Sequence, residues 1–518
     1  MKSQEQKTDS LTTGAAWILF AKVMAFALNI ALPLLLVRRL SQGNFGLYKQ
    51  AFLVVSTSIA LLPLGFGMTA FYFLPREKER KPAVIFNILL FNCLIGGAAL
   101  LVILFFPQLL ANLLISDQVA SQAPQMREQI VSLSPLISVV VFTWLFSSFL
   151  ELIAVANQET RRATFFIILA QFTKAVLLLA AAIFLGTVRS LLFAALLQGI
   201  LQTGILFHYL HGRFPGFWRS FDWEMLKRQV SYAMPYAISV LIWTLQTDMH
   251  NYFVSHHFGQ AGFAIYAVGV FQLPLAGMLA ESVASVMIPR VSHLQNVGDK
   301  REIIRLTASA MRGLAIIIFP FYGALVVLRR EFIVALFTDA YLASVPIFLI
   351  YSTLLPFSIT PLDSIARAFI EVGRFITKMR ITFFFVLAGG LWLAIQRGDL
   401  RHVVGTVIGV YVIENLLTFY QSSRVLGVER RDLSLLKDIG KIAVASAIAA
   451  AAAYAARRAM LPFEMKALWL LLASGLVFGA AYLMAFLALR IATNEEWEMV
   501  LDKVMKLRGR FHIPENSY

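Results

Sequence analysis

Nine charged residues stand inside long apolar stretches of the chain: Lys22, Glu151, Lys174, Asp248, Glu281, Arg312, Asp363, Arg367 and Glu414. A charge at the middle of a bilayer is costly unless it faces water, a ligand or a partner, so each marks a place where function would sit. Around the lysines, amides recur at helical spacing. Lys22 and Asn29 are seven apart, Gln171 and Lys174 three apart, and Gln198 and Gln202 four apart. Each pair therefore shares one helix face. Three such faces would line a hydrophilic cavity, with Lys22 and Lys174 neutralising an anionic cargo and the amides hydrogen-bonding to it. Arg312 is a third cation for the same task. Lys22 has a second reading, as a side chain that snorkels from its helix end to the headgroups.

The later polar set is Gln246 to His250, Glu281, Arg312 and Glu414. Burial raises a carboxyl pKa towards neutrality, so Asp248, Glu281 or Glu414 could carry a coupling proton or cation. The alternative for Glu281 is a structural pair with Arg312. Asp363 and Arg367 are four apart, which reads first as a local helix ion pair and second as a gate. Glu151 reads as a headgroup-depth carboxylate or a gate. His250, His256 and His257 lack a carboxylate close in sequence, so a surface or interfacial reading is preferred and no metal is expected.

The elements that must hold these groups are long and apolar. Of 518 residues, 59% are hydrophobic and 14% charged, and the mean hydropathy is +0.74. Soluble domains run about 45–50% apolar and about 25% charged. The predicted fold is therefore an all-α polytopic membrane protein. A span needs about 20 apolar residues. Fourteen are predicted, over about 14–37, 47–74, 83–106, 129–154, 164–186, 188–210, 231–254, 263–288, 306–328, 344–370, 379–396, 403–423, 439–456 and 467–489. The single cysteine, Cys93, excludes a disulfide framework and a thiolate metal cluster. A GxxxxGK[ST] motif is lacking, and no cofactor is expected. The net charge of +16 would suggest nucleic acid in a soluble protein. Here it fits cationic loops beside anionic lipids, and nucleic acid is not an expected partner.

Loop charges set the orientation. With both termini cytoplasmic, inside segments hold 29 Lys and Arg and outside segments 12, Lys49 being counted with Arg38 and Arg39 outside. That bias favours both ends inside. The segment 211–230, with Trp218, Phe221 and Trp223 beside Arg219, Lys227 and Arg228, suits an amphipathic connector in the headgroup layer. The tail 490–518 has the same character.

The halves resemble each other. "LSQGNFGLY" (Leu40–Tyr48) and "FGQAGFAIY" (Phe258–Tyr266) align at an offset of 218, matching Gln42 with Gln260, Phe45 with Phe263 and Tyr48 with Tyr266. Six spans separate the copies, so both point the same way. The expected domains are a lobe over 1–210, the connector 211–230, a parallel lobe over 231–424, two further spans within 439–489, and the tail. Pro33, Pro63, Gly65, Gly67, Pro235 and Pro274 mark bends in spans one, two, seven and eight.

The segment "VRRLSQGNFGLYKQAF" (Val37–Phe52) resembles the signature of Wzx-type polysaccharide exporters, within the multidrug/oligosaccharidyl-lipid/polysaccharide flippase superfamily. So do "IPRVSHLQ" (Ile288–Gln295), "FPFYGALVVLRREFIVALFTDAYLASVPIFLIY" (Phe319–Tyr351) and "ARAFIEVGRFITKMRITFF" (Ala366–Phe384). The resemblance covers roughly 10–430. It implies a non-enzymatic flippase in the cytoplasmic (inner) membrane. Such a protein carries an undecaprenyl-pyrophosphate-linked oligosaccharide to the outer leaflet by alternating access, without ATP hydrolysis. Lys22 and Lys174 would then meet the pyrophosphate and the glutamines the sugars. Implied partners are the lipid-linked oligosaccharide, membrane lipids, a coupling proton or sodium ion, a polysaccharide polymerase and a chain-length regulator. A drug/cation antiporter of the same superfamily is the first alternative, although twelve spans would suit it better. A membrane-embedded polymerase or ligase needs a large outside loop, and the longest inter-span segments here are about 20 residues. A peptidoglycan-precursor flippase would carry several arginines on spans one and two, where span one offers only Lys22.

Overall fold

The computed structural model describes residues 30–272 and 274–492 together with Met24, Ala27 and Leu28. Lys22, Asn29 and the tail from residue 493 on lie outside the described residues. All regular structure among the described residues is helical. Residues 30–39 form α1. Next come α2 (Gln42–Leu61), α3 (Thr69–Phe73), α4 (Lys81–Phe105), α5 (Pro107–Leu114), α6 (Asp117–Gln122) and α7 (Pro124–Ser147). They are followed by α8 (Phe149–Ala156), α9 (Thr160–Phe184), α10 (Val188–Arg213), α11 (Trp223–Gly269), α12 (Pro274–Val297) and α13 (Lys300–Phe337). The last are α14 (Val345–Ser352), α15 (Leu362–Ala368), α16 (Ile370–Ile395), α17 (Leu400–Leu426), α18 (Lys437–Met460) and α19 (Ala467–Ala488).

Ten helices among the described residues are long and apolar enough to cross a membrane, or eleven if α2 and the helical stretch Phe66–Phe73, bent by 45°, form one span. The chain is a multi-pass membrane protein. Helices also occupy the expected seventh and eighth spans, as α11 and α12, but polar residues spread along both keep them out of that count. Several boundaries differ from expectation, two of them instructively. α11 starts at Trp223, inside the expected connector, because the Asp222 carboxylate caps it by accepting from the Met225 N–H at 3.0 Å. α16 starts at Ile370, so Arg374, Lys378 and Arg380, expected in a loop, lie on its first turns. Helices outrun the bilayer because their polar ends gain backbone hydrogen bonds at no burial cost.

Contacts divide the chain into two compact units. The first comprises 1–271, 336–348 and 377–410. Its core packs Phe66, Phe73, Val84 and Ile88 with Phe149, Ile153, Leu206, Phe217 and Met225. Phe214, Phe217, Met225 and Gln229 of the expected amphipathic connector are thus buried, while Trp218, Phe221 and Trp223 remain exposed. The α9–α10 hairpin turns at Gly186, whose φ of 63° is the left-handed value a glycine supplies. Thr187 then caps α10 by accepting from the Ser190 N–H at 3.2 Å.

The second unit comprises 272–335, 349–376 and 411–518. Within it α18 and α19 form a hairpin against α13. α18 is rich in alanine, and Ala449 and Ala453 are fully buried beside Phe478. Small side chains allow close helix approach where lipid gives no hydrophobic drive for association. Met311, Leu314 and Ile318 of α13 meet Ile442, Ala445 and Ala485.

Candidate functional site

α2 is capped by Ser41, whose Oγ accepts from the Asn44 N–H at 3.3 Å. From that start, Lys49 falls two turns inside the helix rather than in the outside segment where the loop count had placed it. α2 crosses α11 so closely at Gly46 that a Cβ there would lie 1.9 Å from the Gln260 carbonyl oxygen. The two copies of the repeated motif therefore touch at this point. Away from it, the helices are joined by a polar ladder in antiparallel register. Gln50 Nε2 donates to Ser255 Oγ at 2.9 Å, and seven residues on, Thr57 Oγ1 donates to Asp248 Oδ2 at 2.5 Å. At the other side of Gly46, the Gln260 amide donates to Gln129 Oε1 at 2.9 Å.

A second face of α2 meets α7, α9 and α10 around Trp144. The indole Nε1 donates to the Ala195 carbonyl at 2.8 Å, which fixes the ring on α10. Gly199 makes room for it: a Cβ there would lie 2.5 Å from Thr143 Oγ1 and 2.8 Å from the indole. Phe52 stands edge-on to Trp144 at 5.8 Å, and Tyr48 packs on Phe52 at 4.6 Å. Lys174 Nζ lies 5.1 Å from the indole centroid, and Lys49 Nζ lies 5.6 Å from the Phe45 centroid. Such cation–π contacts are worth about 0.5–2 kcal/mol.

Lys49 and Lys174 are close enough to repel each other electrostatically. Both side chains are half-buried. Neither has an acidic partner within 4 Å among the described residues. Gln198 and Gln202 are buried on α10, with Gln198 Oε1 and Gln202 Nε2 lacking any partner. An unpaired buried amide atom costs about 1–3 kcal/mol.

Of the expected cavity residues, Gln171, Lys174, Gln198 and Gln202 lie on adjacent helices of the first unit. Lys49, Trp144 and Phe52 belong with them and were not singled out from sequence. A lysine within "GLYKQAFLVV" was the available signal for the first; the others are tertiary contacts. Asp248 lies elsewhere in this unit. With Thr57 and Tyr252 it forms the polar spot of an otherwise apolar cavity of about 490 Å³, lined also by Leu61, Phe106 and Leu110. His250 is buried, its Nδ1 3.0 Å from the Tyr266 hydroxyl.

The second unit holds the rest. Arg312 donates from Nη2 to the Ile491 carbonyl at 2.7 Å, with its Nε 3.6 Å from the Asp438 carboxylate. Asp363 and Arg367 form the local pair at 2.8 Å, both well exposed. Glu281 is exposed on α12, and Glu414 is half-buried on α17. In the first unit, Glu151 is exposed on α8.

An all-helical, multi-pass chain with a pair of half-buried lysines among aromatic rings in one bundle is the class that fold and site define. A family model described as "Polysaccharide biosynthesis protein" matches residues 35–346, and the chain belongs to that family. No curated protein matches it. Its fold is similar to the lipid II flippase MurJ in an inward closed conformation, with 16% identity and a TM-score of 0.68 over 92% of this chain and 98% of that one. It is also similar to an inward-facing MATE-family multidrug resistance transporter (15% identity, TM-score 0.57, 82% and 99% covered). A third likeness is to a MOP-superfamily transporter from Pyrococcus furiosus with a pocket of reversed polarity (17% identity, TM-score 0.54, 80% and 94% covered).

Proposed function

We propose that the protein is a flippase that moves a lipid-linked, undecaprenyl-pyrophosphate-type oligosaccharide from the inner to the outer leaflet. It works by alternating access, without ATP and without catalysing a reaction. One observation carries this reading: Lys49 and Lys174 stand beside aromatic rings in the first unit, and neither has an acidic partner within 4 Å among the described residues. A pyrophosphate supplies the opposite charge and several acceptor oxygens, which lysines meet as compact point charges. Sugars supply hydroxyls for Gln171, Gln198 and Gln202. A cationic drug would be repelled by the same two positive charges, which disfavours the antiporter.

The finer architecture belongs to this proposal. It comprises fourteen spans, two parallel six-span lobes with two added helices, both termini cytoplasmic, and residence in the inner membrane. Asp248, with its Thr57 partner, is the proposed coupling carboxylate for a proton or sodium ion; Lys22, Asn29, Arg312, Glu281, Asp363, Arg367 and Glu414 are secondary candidates for cargo, coupling or gating. A polymerase and chain-length regulator are the partners such a step feeds.

The test is complementation of a deletion strain at matched membrane protein levels, scored by surface polysaccharide and by lipid-linked intermediates. Lys174→Ala is expected to leave intermediates on the inner leaflet, and Lys174→Arg to retain partial function. Full activity in both Lys174→Ala and Lys174→Gln would remove Lys174 from the site.

A further inference from the structure

The second unit contains a pocket of about 310 Å³ walled by α13, α15, α17 and the turn that leads into α18. Its walls are Ile304, Ala308, Met311, Ile365, Phe419 and Leu436, with Tyr420 and Leu433 exposed at its edge. Glycan hydroxyls would lose their hydrogen bonds against such walls, so the pocket suits hydrocarbon. One lining residue, Ser422, has a buried hydroxyl with no partner.

The surroundings are cationic. Arg301 holds the turn in place, donating to Asp432 at 2.9 Å and to Glu429 at 2.7 Å. That uses the nearby carboxylates. Arg424, Arg430 and Lys437 sit beside the lining residues Ser423, Val428 and Leu436, all three exposed and without an ion pair.

We propose that this pocket binds one acyl chain of an anionic diacyl phospholipid, whose phosphate lies against Arg424, Arg430 and Lys437. On the proposed topology the mouth lies at the headgroups of the inner leaflet, where anionic lipids attract basic segments. The Ser422 hydroxyl is placed to donate to an ester carbonyl. The cargo's own phosphates are assigned above to Lys49 and Lys174, so the anion here belongs to a different lipid; that assignment rests on the proposed function.

Native mass spectrometry of the full-length protein, titrated with phosphatidylglycerol or phosphatidylcholine of identical chains, tests this. The protein is expected to retain phosphatidylglycerol about tenfold better than phosphatidylcholine. The surface variant Arg424→Gln/Arg430→Gln/Lys437→Gln is expected to lose that preference, and Ser423→Trp, which fills the mouth, to lose both lipids. Equal retention of the two lipids by wild type, or an unchanged preference in the triple variant, would overturn the proposal. So would displacement of phosphatidylglycerol by equimolar undecaprenyl phosphate, which would give the pocket to the cargo's tail. The triple variant changes only exposed side chains, so its result stands even if Ser423→Trp fails to fold. Because retention is read without transport, loss of the flippase reading through Lys174 would leave this result separately interpretable.

Discussion

The lysine cluster around Trp144 and the packing of the α18–α19 hairpin on α13 both carry cations among apolar helices, but they treat them in opposite ways. Where the hairpin meets α13, Arg457 and Arg312 are both answered. Arg457 lies 2.8 Å from Glu331, whose side chain is 5% exposed, and Arg312 is held by the Ile491 carbonyl and Asp438. Around Trp144, Lys49 and Lys174 meet aromatic rings and have no acidic partner among the described residues. Electrostatics that are satisfied at rest hold a structure together. On the proposed function, the unpaired lysines are the charges a ligand would answer, so pairing is the difference the two regions put to the test.

The comparison breaks if removal of the unpaired charges costs nothing in transport. Lys49→Ala with Lys174→Ala is expected to lower flipping about 100-fold with unchanged folding, since charge-assisted hydrogen bonds contribute about 1.5–3 kcal/mol each. Quantifying lipid-linked intermediates against a detergent melting curve checks both halves of that statement.

The paired side should show the reverse. Arg457→Ala strands the Glu331 carboxylate and is expected to destabilise by about 3–5 kcal/mol, whereas Arg457→Leu with Glu331→Leu recovers most of it. Melting temperatures of the three proteins decide this, and a neutral Arg457→Ala would mean that the pair is only incidental. Gly46→Leu lies between the two regimes. Its side chain would collide with the Gln260 backbone, and overpacking of this kind costs about 1–3 kcal/mol, read as a lower melting temperature together with lower transport. The smallest effect belongs to Asp363→Asn, because its exposed partner Arg367 gives a surface pair worth about 0.5 kcal/mol. A melting shift beyond a degree or two there would point to the gating role instead.

Apolar run length made the helices legible from sequence, since a bilayer imposes one length on every crossing segment. Polar spacing made Gln171, Lys174, Gln198 and Gln202 legible, because four residues of helix return a side chain to the same face. What sequence hid is tertiary or set at helix ends. Lys49 was counted with the outside charges because the predicted span began only at 47, whereas the Ser41 cap lies six residues before that start. Trp144 became part of the site only through the indole bond to Ala195 and the space left by Gly199, neither of which has a periodic signature. α11 ran longer than expected for a related reason: Asp222 starts it early, and a second helical stretch follows directly after the kink at Gly259, whose φ of 65° and ψ of −169° are not helical.

The crossing at Gly46 has a mechanical consequence. Backbone rests on backbone there, so α2 and α11 have a fixed point of contact with no compressible side chain between them. Distance along the helix then acts as a lever arm. With a rise of about 1.5 Å per residue, Thr57 stands about 16 Å from that point and Gln50 about 6 Å. A scissoring of about 10° would shift the Thr57–Asp248 contact by about 3 Å, enough to break it, but the Gln50–Ser255 contact by only about 1 Å, over the same helix geometry. On α2, then, the Thr57–Asp248 contact would give way at a crossing-angle change that leaves the Gln50–Ser255 contact near the fulcrum bonded.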